Sequence, residues 1–321
     1  MDTTQAASIE TEPPAPPAVP PAKASGAGMI ALLAVLVYVA FDITLPLIRL
    51  PERWHGPIAE LMGLALPTMI FMLLQLWLAK ALVALRWPNA RVTLAAFASI
   101  GLWFVVAWFV HVSHGMSLSE MRTVILMKNA GLGFLLTAGL TFFGILLALI
   151  IKEPNVLLPI ALIAIPIDYV GAMTPLGFTQ SIVQHAPQIV SAVSVPVPTM
   201  GTMRGGIGIH PIAFIGPGDA LFIACFFAAV QRLSLNVRGT FWWMYGLLAV
   251  SMVIVLVRDY NIAALVPMGI AVIIANFRSF RFQRSEVFAM IYAAIMIFIV
   301  VGAFYEASHH FLFKGHPHGG H

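Results

Sequence analysis

Two aspartates stand where a carboxylate is hardest to keep. Asp168 lies in the apolar run from Leu157 to Val170, and Asp219 in the run from Phe214 to Ile223. A charged carboxylate at the centre of a bilayer costs about 2.5 to 3.5 kcal/mol on insertion scales, so such an acid is a functional candidate by default. Two of them facing each other hold one proton between them, because both cannot ionise at close range. One member is then a base and the other an acid. That combination draws a proton from water while protonating a carbonyl oxygen, the chemistry of amide hydrolysis.

The elements that must carry these side chains follow from composition. Of 321 residues, 60% are hydrophobic and only 9% are charged. A soluble domain carries about a quarter charged residues, so this chain lacks the means to cover a water-facing surface. It reads as an all-α polytopic membrane protein with about nine transmembrane helices, near 29–49, 57–85, 92–113, 128–151, 156–176, 211–231, 240–258, 261–277 and 286–306. Each is a continuous apolar run close to the roughly 20 residues a span requires, and none alternates with the period of a barrel strand. The eighth is short and holds Pro267, which predicts a broken or tilted helix.

Four parts are expected: a disordered Pro-rich tail over 1–28, N-terminal transmembrane helices over 29–155, the region bearing both aspartates over 156–280, and a last helix with a His-rich tail over 281–321. The tail is acidic and polar, unlike a secretory signal, so the first span is expected to be retained. Short connections carry the basic residues: Arg86 and Arg91, Lys152, Arg232 and Arg238, then Arg278, Arg281 and Arg284. Alternating spans put these on one side, which favours a cytoplasmic N-terminus and an external C-terminus. The net charge of +4 is thereby explained by topology and anionic lipid, with no basic cluster that calls for nucleic acid. The single cysteine, Cys225, excludes a disulfide framework. One connection differs. Residues 177–210, with Pro187, Pro196, Pro198 and a run of glycines, join the two aspartate spans and read as a flap or substrate-docking segment.

Gly216-Pro217-Gly218-Asp219 opens a span. Its glycines admit a close neighbour, and Pro217 suits a helix start. Taken alone, the element also fits a simple loop-to-helix turn with the aspartate as N-cap. Other polar residues compete for attention. Asp42 and Glu60 fit span-end acids or a proton relay, and Lys80 lies late in the second span. His111 and His114 share a helical face, and His309, His310, His316, His318 and His321 crowd the C-terminus. Interfacial and solvated roles are expected for these histidines rather than a metal site.

The segment Ile167-Asp168-Tyr169-Val170-Gly171-Ala172-Met173-Thr174-Pro175-Leu176-Gly177 resembles the first catalytic segment of the presenilin and signal-peptide-peptidase family of intramembrane aspartyl proteases. Gly216-Pro217-Gly218-Asp219 is similar to that family's second aspartate motif. Asn261-Ile262-Ala263-Ala264-Leu265-Val266-Pro267 resembles its Pro-Ala-Leu motif, in the right order. The likeness covers about 145–280 and departs at two points: Ile167 stands where the family has Tyr, and Ala263 replaces the first Pro. The resemblance implies a peptidase with Asp168 and Asp219 as its catalytic pair. Gly216, Gly218, Tyr169, Ala264, Leu265 and Pro267 would lie against substrate. It implies no cofactor and no metal, a membrane-spanning protein substrate within the lipid bilayer, and a multi-pass place in a prokaryotic cytoplasmic membrane.

Three other readings compete. A proton-coupled transporter or channel would use the same carboxylates, although no internal repeat accompanies them. A metal-handling membrane protein would use the histidines. A prepilin-peptidase-like enzyme would carry Lys two residues after the Gly-x-Gly-Asp aspartate, where Leu221 stands.

Overall fold

The computed structural model describes residues 24–48, 57–112, 118–173, 194–198, 214–258 and 262–280, with scattered positions between 288 and 303. Eight helices run through these segments: α1 (Ala24–Thr44), α2 (Pro57–Val83), α3 (Asn89–Val112), α4 (Leu118–Leu147), α5 (Pro154–Met173), α6 (Pro217–Arg232), α7 (Val237–Arg258) and α8 (Leu265–Asn276). They coincide with the first eight apolar stretches. The ninth stretch, most of the 177–210 connection and the C-terminal histidines lie outside the described residues.

Among the described residues five helices are long and apolar enough to cross a membrane, with spans Gly26–Leu47, Gly63–Val83, Asn89–Trp108, Ala130–Ile150 and Val237–Val255. Nine spans are not confirmed. The ninth stretch lies outside the described residues, and α6 and α8, beside the aspartates, are short. At about 1.5 Å per residue, the 16 residues of α6 span only about 24 Å, and the 12 of α8 about 18 Å. Both are shorter than the roughly 30 Å of hydrocarbon.

Two further boundaries depart from expectation. α1 begins at Ala24, inside the supposed tail, because beyond Pro21 nothing blocks helix and alanine favours it. α4 begins at Leu118, well before its apolar part, so its first turns include Ser119, Glu120 and Arg122. The architecture is also not purely helical. β1 (Val195–Pro196) pairs antiparallel with β2 (Phe214–Ile215), with Val195 opposite Ile215. This small sheet rests on α4 at Gly133, where an added Cβ would meet Val195 Cγ1 at 3.6 Å.

Two apolar cores organise the bundle. The first gathers α1, α3, β1 and faces of α2 and α4 around Tyr38, Phe71, Leu78 and Trp103. The second gathers α5 to α8 with the other faces of α2 and α4 around Leu76, Ile151, Phe226, Phe227 and Met244. α2 and α4 therefore serve both. α4 and α6 approach closely at Gly144, where a Cβ would meet Ala224 Cβ at 2.8 Å and the Cys225 nitrogen at 2.9 Å. Glycine here lets the backbones of neighbouring helices touch.

Beyond α6, a hydrogen-bonded corner fixes the turn into α7. Asn236 caps α7 by accepting from the Gly239 N–H at 2.8 Å, and its own N–H donates to buried Asn276 Oδ1 at 2.9 Å. Asn276 Nδ2 donates onward to Thr240 Oγ1 and Val272 O, each at 2.9 Å.

Candidate active site

The second aspartate is positioned by the way α6 starts. Gly216 is extended, with φ −64° and ψ 151°, and continues β2 directly into the helix. Pro217 follows at the first helical position, where its missing N–H costs nothing. Asp219 is then the third residue of the helix, not its N-cap. Its Oδ2 accepts the Gly216 N–H at 3.2 Å, the half of a capping box that does not require a side chain on the cap. A carboxylate in this turn also meets the positive end of the helix dipole.

Asp168 is positioned by α5 and held by α8. Pro166, inside α5, removes one backbone donor just before it. Asp168 Oδ2 accepts the Leu265 N–H at 2.8 Å. Leu265 opens α8, so its N–H has no partner within its own helix and takes one from α5. α5 and α8 lie close because Gly269 faces Ala161 O and Ile165, each 3.1 Å from where its Cβ would stand. Leu265 adjoins Ala264, which lines the same cavity as Asp219, so one segment links the two aspartates. Each aspartate thus spends Oδ2 on one helix start. Among the described residues no hydrogen bond engages either Oδ1.

Asp219 opens onto a cavity of about 350 Å³ between α2, α6, α7 and α8. Its polar wall comes from α2. Thr68 and Gln75 both line it, and each is only 2% exposed. The Thr68 hydroxyl donates to Leu64 O at 2.8 Å, beside the interruption made by Pro67. Among the described residues the Gln75 carboxamide nitrogen has no hydrogen-bond partner. A buried polar group left unpaired is rare in a native fold and asks for an explanation.

The residues expected from sequence are distributed unevenly around this point. Ala264 lines the cavity, and Leu265 reaches Asp168 through its N–H. Pro267 is buried in the first turn of α8, where a missing N–H costs no helical hydrogen bond, so the helix does not break there. Gly216 contributes its N–H to Asp219. Gly218 is exposed with open space where a Cβ would be, and Tyr169 is 46% exposed and away from the cavity wall.

Asp42 belongs to the other core. It is 6% exposed and its Oδ2 has no partner; that oxygen stands 3.8 Å from where a Cβ on Gly133 would lie. Lys80 lies over the Phe241 ring, 4.8 Å from its centroid. The side chains of Glu60 and His111, and the whole of His114, lie outside the described residues. Among the described residues no cluster of three His, Cys, Asp or Glu could hold a metal ion.

Thr68 and Gln75 were not among the residues singled out from sequence. One signal was present: Gln75 interrupts the run Phe71-Met72-Leu73-Leu74-Gln75-Leu76-Trp77, where a carboxamide is costly without a purpose. Compared with known protein families, with curated proteins and with solved structures, the chain matches none.

Proposed function

We propose that this protein is an intramembrane aspartyl protease that cleaves membrane-spanning polypeptides with Asp168 and Asp219. The observation that carries the reading is two carboxyl groups on different helices, Asp168 held by the Leu265 N–H at the start of α8 and Asp219 at the start of α6, beside a cavity that Asp219 and Ala264 both line. Among the described residues each carboxyl is held by a single backbone N–H, which leaves its other oxygen for chemistry.

The pair holds one proton. The ionised member takes a proton from a water molecule as its oxygen attacks the scissile carbonyl carbon. The protonated member gives its proton to the carbonyl oxygen, leaving a geminal diol. Collapse of the diol returns a proton to the departing nitrogen and breaks the carbon–nitrogen bond. The Gln75 amide faces this space and donates an N–H to the developing tetrahedral oxygen, as an oxyanion-hole donor does.

The test is cleavage of a membrane-anchored reporter by the full chain in proteoliposomes. Asp168→Asn and Asp219→Asn should each lower cleavage by roughly a thousandfold or more. Near wild-type cleavage by either variant would sink the assignment. Asp42 supports one second reading, since a buried carboxyl oxygen without a partner also suits a proton-coupled transporter. In the same vesicles that reading predicts proton-driven solute movement lost in Asp42→Asn, with no reporter cleaved.

A further inference from the structure

A second cavity, of about 380 Å³, lies at the opposite end of α2 and α6. It is formed where α2, α4 and α6 end and α3 begins. Arg86, Arg232, Asn89, Gln231 and Ser234 give it polar groups, and no carboxylate lines it. Arg232 donates to Ala148 O at 3.3 Å, which ties one guanidinium across to the end of α4. Among the described residues Arg86 has no ion-pair partner.

The backbone supplies an independent observation. Among the described residues only two non-glycine positions have positive φ: Arg86 at 47° and Ser234 at 54°. Both line this cavity. Arg86 lies three residues beyond the end of α2 and Ser234 two beyond the end of α6, in turns where glycine adopts the left-handed conformation at least cost. The chain instead keeps a guanidinium and a hydroxyl there. Strained positions of this kind collect at ligand clamps.

We propose that this cleft binds the phosphate of an anionic phospholipid. Free phosphate would need only the cationic groups. The cleft also has an apolar wall at the rim of the hydrocarbon, since Val83 ends the apolar span of α2 and Ala148 lies two residues from the end of the span that α4 begins. Exposed Trp87 stands at the same level and stacks on Phe142 at 5.5 Å and 13°. A half-exposed tryptophan at a span end marks the headgroup layer. The phosphate sits between Arg86 and Arg232, with Asn89 and Ser234 donating to it, and the acyl chains run down the α4 face past exposed Leu147.

The experiment is a thermal-unfolding titration of the full chain in neutral detergent with short-chain phosphatidylglycerol, phosphatidylcholine or inorganic phosphate. Phosphatidylglycerol should raise the melting temperature of the wild type and phosphatidylcholine should not. Arg86→Ala combined with Arg232→Ala should weaken the apparent phosphatidylglycerol affinity at least tenfold. Arg86→Gly gives a second and sharper arm. It should melt higher than wild type without lipid, because strain is relieved, and respond less to phosphatidylglycerol. A wild-type phosphatidylglycerol response in both variants overturns the site. Inorganic phosphate at millimolar concentration reproducing the full response overturns the lipid and leaves a free-phosphate site.

Discussion

The two cavities are built from the same pair of helices. α2 gives Thr68 and Gln75 to one and Val83, with Arg86 just beyond, to the other. α6 gives Asp219 and Ile223 to one and Ala228 and Arg232 to the other. Their volumes are alike, about 350 and 380 Å³, and their charges are opposite. The helix dipole accounts for part of this. An acid in the first turn of α6 and a base in its last turn are each favoured by about 0.3 to 1 kcal/mol. Charge placement alone would therefore fit a purely architectural role. What separates these ends from ordinary helix termini is what each leaves unresolved. Among the described residues the acidic cavity keeps an unpaired Gln75 amide and an Asp219 oxygen without a hydrogen bond. The basic cleft keeps two residues in a backbone conformation that suits glycine. Local rules broken without repair nearby are the usual mark of function.

The widest gap between the two ends should appear with the aspartates. Asp168→Asn preserves an acceptor for the Leu265 N–H and Asp219→Asn one for the Gly216 N–H, so folding survives. Cleavage should fall by roughly a thousandfold or more, while the phosphatidylglycerol response stays at the wild-type level. The wild-type pH–rate profile should be bell-shaped, because activity requires one proton on the pair and is lost when it carries none or two. A profile with a single sloping limb would argue against the shared proton.

The scaffold common to both ends is tested at Gly144. Gly144→Leu forces a side chain into the α4–α6 contact and should destabilise the bundle by about 1 to 3 kcal/mol, read by thermal unfolding. Cleavage and lipid response should then decline together. If one falls and the other holds, the two cavities do not depend on the same helix packing.

Gln75→Leu should separate catalysis from stability. Removing the donor should reduce kcat about tenfold with KM little changed, below the hundredfold or more lost with an oxyanion donor facing a full charge. Removing an unpaired buried amide should leave the fold as stable or raise stability by about 1 kcal/mol. A fall in stability with unchanged kcat would make Gln75 a structural residue.

The comparison also shows what a sequence of this kind makes legible. Apolar runs far longer than any soluble core needs gave the helices, and the cost of burial singled out Asp168 and Asp219. Where the elements end was harder to read. Hydropathy marks the slab of hydrocarbon, so it missed the polar first turns of α4 and overstated α6, whose residues 214–215 form a strand before Pro217 starts the helix. Pro267 was read as a break because its place within the first turn of α8 depends on Asp168 capping Leu265 across 97 residues of sequence. Gln75 and the Arg86–Ser234 pair depend on which helix faces which, and hydropathy carries no such information.

The smallest effect expected is at Ser234, and it bears most directly on why the basic end departs from rule. α6 ends in a Schellman turn: the Leu235 N–H donates to Val230 O at 2.8 Å, and the Ser234 N–H to Gln231 O at 3.2 Å. Glycine would hold the same turn at φ 54° without a Cβ in the way. Ser234→Gly should therefore stabilise the lipid-free protein by about 0.5 to 1 kcal/mol, the gain being trimmed by the greater freedom of glycine in the unfolded chain. Its hydroxyl is one neutral donor beside two guanidiniums, so phosphatidylglycerol affinity should drop only about two- to fivefold. Higher stability with unchanged affinity would assign lipid recognition to the arginines alone. Lower stability would mean that the left-handed serine is held by something other than the ligand, and the argument from strain would fail at this end of α6 while the aspartate cavity stood untouched.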